Sequence, residues 1–160
     1  MNDSPITPLF GLAVAIAYVI QSDGKTSVQE RAEWLTLFGQ LVESGKFSKA
    51  HLATMTKTAF AHAAATDLSE FLEQLTPVLS YSQKISVLIN LYDTMLADGN
   101  IKEGGHRVFE QFHRAFEIDK QTLRTIREFL SLKNDITLFT DANHPYNDDD
   151  FSLASLFREN

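Results

Sequence analysis

Two stretches, QSDGKTSVQE from Gln21 to Glu30 and LADGNIKEGG from Leu96 to Gly105, place an Asp-Gly pair directly after an apolar run, with a glutamate following. Carboxylates from a helix end and from the first turn of the next helix lie close together, and such all-oxygen clusters attract hard cations such as calcium or magnesium. The carboxylates standing in these positions are Asp23 and Glu30 in the first stretch, Asp98 and Glu103 in the second. The same residues also have a reading without any ion. Glycine supplies a positive φ, aspartate hydrogen-bonds its own turn, and Glu30 completes a Ser-x-x-Glu capping box opened by Ser27. Both readings stay open on sequence alone. The spacing speaks against an EF-hand: with Asp23-Gly24 or Asp98-Gly99 at the middle of the loop, its early ligand positions fall on Val19 and Gln21, or on Thr94 and Leu96. Gly105 stands where the first copy has Glu30, so a site should be stronger at Asp23 and Glu30 or differently built at Asp98.

The remaining chemistry-bearing residues converge less. Glu103, His106, Glu110, His113 and Glu117 recur at spacings of three and four, opposite Val108, Phe109, Phe112 and Phe116. Glu110 and His113 form the Glu-x-x-His pair of di-iron bundles, but those bundles draw a second such pair and further glutamates from facing helices, and no other helix supplies it. Arg107 and Arg114 interleave the stripe, as on an ordinary ion-paired face. His51 and His62 stand among Ala, Thr and Lys and read as surface or partly buried residues, His144 lies in a loop, and Asp148 to Asp150 read as a solvated connection that, with Asp141 and Asn143 nearby, could also chelate a cation loosely. There is no phosphate loop, nucleophile elbow or zincin motif, and no cysteine to serve as nucleophile or zinc ligand. The expectation is a protein that is not an enzyme and has no organic cofactor.

Helices must position these residues. Apolar positions recur at helical spacing throughout, with no sustained alternation, which predicts an all-α fold: a compact single-domain bundle of about seven helices spanning residues 1–160. They are expected at about Thr7–Ser22, Ser27–Gly45, from Ser48 through the alanine-rich run, from Asp67 to the TPVLS break, Ser82–Ala97, Glu103–Glu117, and from an Asp119 cap to Leu132. From Lys133 the signal decays into a loop, followed by FSLASLF as a short docked helix or strap. The halves, about 5–66 and 80–132, read as a three-helix repeat: Asp23 matches Asp98, Trp34 matches Phe109, and KFSKAHL matches EIDKQTL. A pseudo-twofold axis would then put Leu9–Ile20 and Ile85–Leu96 at the centre.

Leu9–Ile20 is nearly all apolar but shorter than the roughly 20 residues a membrane span needs, and its acidic, proline-bearing flank is not that of a secretory signal. With 44% hydrophobic residues and 11% aromatic ones, the 160-residue chain can bury a sizeable core. Fourteen Lys and Arg against twenty-one Asp and Glu give a net charge of -7, without the basic patch that nucleic acid requires. No nucleic-acid partner and no transmembrane segment are expected, and the absence of cysteine fits a cytoplasmic location.

An apolar helix ending in Ala-Asp-Gly, a few linking residues and then acids opening a helix resembles the tellurite-resistance TerB-like family, over most of Ile6–Leu132. The resemblance implies an all-helical protein of bacterial tellurite and stress resistance. It also implies protein partners, membrane-associated ones among them because similar domains occur on membrane-anchored co-chaperones, and divalent metal at Asp23, Glu30, Asp98 and Glu103. Family turns carry several consecutive acids, whereas TSVQE has Glu30 alone and IKEGG has Glu103 alone. The alternative is a metal-independent helical interaction module, a homodimer included, whose face between the two turns binds a peptide or a second subunit.

Overall fold

A computed structural model describes residues 6–22, 24, 27–96 and 103–151. The described residues form helices without a strand: α1 Pro8–Gln21, α2 Val28–Glu43, α3 Lys49–Ala65, α4 Leu68–Leu75, α5 Tyr81–Leu96, α6 Glu103–Phe116, α7 Lys120–Asn134 and a single turn, α8 Thr137–Thr140. Two 3-10 turns, Thr76–Val78 and Pro145–Asn147, complete the path.

Local chemistry sets most of the boundaries. Thr7 caps α1 by accepting from the Phe10 amide at 3.2 Å, with Pro8 in the first turn, where its missing N–H costs nothing. Ser48 and Asp119 cap α3 and α7 in the same way, each accepting from the amide three residues on. Helix α5 starts one residue earlier than expected because Ser80 and Gln83 form a reciprocal capping box, at 2.8 and 3.1 Å. Pro77 halts α4. Helix α6 stops at Phe116, since Glu117 is left-handed at φ 54° and the His113 ring bonds the Ile118 carbonyl at 2.9 Å.

The tail departs from expectation. Helix α7 runs to Asn134, past Leu132, because Lys133 and Asn134 are tied to Asp93 of α5 at 3.2 and 2.8 Å. What reads as loop is a structured strap: the Asn147 amide donates to the Leu138 and Asp141 carbonyls, His144 pairs with Asp135 at 2.9 Å, and Tyr146 stacks on Phe151 at 4.8 Å. Side-chain amides and Asx turns supply local order that apolar periodicity cannot reveal. The expected docking of FSLASLF lies outside the described residues from Ser152 onward.

Helix α1 is buried nearly all round, which explains its continuous apolarity, and it packs against α3, α4, α5 and α6. Burying each Val or Ile of this helix contributes about 1.5–3 kcal/mol before entropy is counted. The pairings run crosswise: α1 lies on α5, α1 takes α3 as α5 takes α7, and α1 touches α6 as α5 touches α2. Trp34 of α2 and Phe109 of α6 are both buried, and Phe38, Phe71 and Phe112 are completely buried as well. Tyr18 reaches from α1 to the end of α3, donating to the Thr66 carbonyl at 2.6 Å. Burial, then the charges of Asp67 and Glu70, push its pKa up to about 12, so it remains a donor.

Candidate functional site

Ser22 at the end of α1 meets the start of α6, while Asp93 near the end of α5 bonds Glu33 near the start of α2. Gly104 makes the first contact possible. A Cβ on Gly104 would stand 2.6 Å from the Ser22 carbonyl oxygen, far inside van der Waals contact, and one on Gly105 would sit 3.5 Å from Met95 and 3.7 Å from the Ser22 hydroxyl. The first turn of α6 therefore rests directly on the last turn of α1. Gly105, where the repeat would place a second Glu30, is buried packing surface against Met95 and Ser22.

At the α1–α2 connection the Ser22 hydroxyl donates to the Val19 carbonyl at 2.6 Å and the Gly24 amide to the Gln21 carbonyl at 3.1 Å. Gly24 adopts φ 79°, the left-handed conformation that glycine takes without strain. The capping box is present: Glu30 Oε1 accepts from the Ser27 amide at 3.0 Å, and the Ser27 hydroxyl accepts from the Glu30 amide at 2.9 Å. Glu30 is only 5% exposed, so one of its oxygens is committed to the helix start. Glu103 is the opposite case, with an 81% exposed side chain and an ion pair to Arg107 at 2.7 Å. Asp23 and Asp98, the other two candidate ligands, lie outside the described residues. Among the described residues no three His, Asp or Glu side chains gather closely enough to hold an ion.

Sequence reasoning missed an acidic contact between α2 and α5. The Glu33 carboxyl is hydrogen-bonded to Asp93, which is 13% exposed and also accepts from Lys133 and Asn134. Burial and then the Asp93 charge push the Glu33 pKa up, against the opposing effect of Lys133. The available signal was Glu33 lying one helical turn beyond Glu30; its partner comes from the other half of the chain, which no local pattern announces.

The stripe on α6 disperses. Glu110 faces Arg127 of α7 at 3.6 Å and His106 at 3.9 Å, while His113 caps its own helix end, so Glu110 and His113 do not converge. His51 meets the edge of Phe47, and His62 is wedged between Phe10 and Phe71 with its Nε2 buried and unpartnered. These are packing roles.

Across residues 10–128 the chain matches the family model described as Tellurite resistance protein TerB. The chain belongs to the TerB family. The matched span takes in α1 to α6, both Asp-Gly connections and most of α7, and leaves the strap after Asp135 outside. No curated protein and no solved structure matches the chain. TerB membership agrees with the all-α architecture, and among the described residues no helix is long and apolar enough to cross a membrane.

Proposed function

We propose that this TerB-family chain serves bacterial tellurite or stress resistance without catalysis, as a divalent-cation-responsive helical protein. Asp23, Glu30, Asp98 and Glu103 would hold the ion, and the ion would supply positive charge that ties the two helix connections together. The observation that supports this reading is the apposition of Ser22, which precedes Asp23 in sequence, with Gly104, which follows Glu103. The donor chemistry fits a hard cation, since every candidate is a carboxylate. The Glu33–Asp93 contact supports it further: two carboxyls held together raise a proton affinity that a nearby cation would relieve. Glu103 would exchange its Arg107 partner for the ion at little cost, because an exposed pair of this kind is worth about 0.3–0.5 kcal/mol.

Thermal melting in calcium, magnesium, manganese and zinc tests the reading. Binding to the native state should raise the melting temperature saturably, by an amount equivalent to about 2.7 kcal/mol at a hundredfold excess over Kd. An unchanged melting temperature at millimolar levels of all four ions would leave Asp23 and Asp98 as turn residues.

A further inference from the structure

Residues of α2 and α3, with Ile20 near the end of α1, line an open cleft of about 680 Å³. Its floor is apolar, formed by Ile20, Trp34, Leu52 and Phe60, and Leu35 at its edge is 56% exposed. The Trp34 indole donates to Thr56 Oγ1 at 3.0 Å, so the polar atom of the largest floor residue is already satisfied. Phe60 packs against the same ring at 5.0 Å.

The rim is cationic. Arg31 of α2 and Lys49 and Lys57 of α3 line the cleft and are exposed, no acidic residue lines it among the described residues, and α3 contains no Asp or Glu. None of the three cations is ion-paired among the described residues, although the chain as a whole carries -7. Lys49, Ala53 and Lys57 stand four residues apart along one stripe of α3, which spreads the two ammonium groups over roughly 12 Å of helix. Between them the small Ala53 side chain permits close approach.

The geometry points to a partner segment of defined chemistry: an acidic amphipathic helix, its apolar stripe on Leu35 and Leu52, above Trp34, and its carboxylates along the Arg31, Lys49 and Lys57 rim. A single-headed anion such as a fatty acid would use positive charge at one end, whereas here the charge is distributed along the cleft. The proposed docking does not depend on a bound cation.

Trp34 is the sole tryptophan and forms part of the floor, so its fluorescence reports occupancy directly. The probe is a synthetic amphipathic helix of about five turns, long enough to be helical on contact, with glutamates at three- and four-residue spacing beside a leucine stripe. Titrated in EDTA, it should shift Trp34 emission saturably. The affinity should fall at least about tenfold for the Lys49→Glu/Lys57→Glu protein and for a glutamine version of the peptide, and weaken with added salt. Lys57→Gln alone, at an exposed position, serves as the milder variant and should weaken binding while leaving the melting curve unchanged. Absence of any Trp34 response, equal binding of the glutamine peptide, indifference to the lysine substitutions, or saturation by oleate in place of the peptide would each overturn the assignment.

Discussion

Gly104 and Gly39 are both helical glycines, and their surroundings give them opposite expected responses to the same substitution. At Gly104 an added methyl group meets a backbone oxygen of Ser22 that cannot swing away, so Gly104→Ala has to push α6 off the end of α1. Overpacking of this kind costs about 1–3 kcal/mol, offset in part by better helix propensity. At Gly39 a Cβ meets nothing within 4 Å, and Gly39→Ala should stabilise α2 by about 0.5–1 kcal/mol. Thermal melting of the two variants reads both outcomes, and an unaffected Gly104→Ala protein would contradict the close packing of α6 on the end of α1. The pair also marks a limit of sequence reading. Both glycines look alike on the page, and the absence of Glu at position 105 reads as a weakened ligand set, whereas the structure shows it as contact surface for Met95 and Ser22.

Helix by helix, capping chemistry carries most of what can be read from sequence. Ser27 with Glu30, Ser48, Asp119 and Pro77 act where residue type and spacing place them, because caps and breakers work within one turn. Contacts between distant helices are not announced in this way. Glu33 and Asp93 meet because α2 packs on α5, and the tie from α7 to Asp93 extends that helix beyond its apolar pattern. The Glu33 carboxyl has a pKa above its unfolded value, so its contribution to stability is fully present below the unfolded pKa and is lost as pH rises through the folded one. Glu33→Gln keeps a donor toward Asp93 and removes that loss. The variant should gain in melting temperature relative to wild type as pH rises from about 4 to 7. A difference that stays constant across that range would mean that the two carboxyls do not interact.

For the whole molecule, the all-α architecture and TerB membership follow from the same feature, an apolar helix running into an Asp-Gly turn and an acid-flanked second helix. The end of α1 meets the start of α6 at Ser22 and Gly104, and on that contact we rest the proposal that acids from the two halves serve one ion. Local sequence suggested two independent sets, Asp23 with Glu30 and Asp98 with Glu103, because residues near in sequence are the ones a pattern can join. Calorimetric titration with calcium decides between these arrangements most directly. The account predicts one ion bound per chain, with binding abolished by either Asp23→Asn or Asp98→Asn. Two independent ions per chain, each lost with only one substitution, or no binding at all, would contradict it.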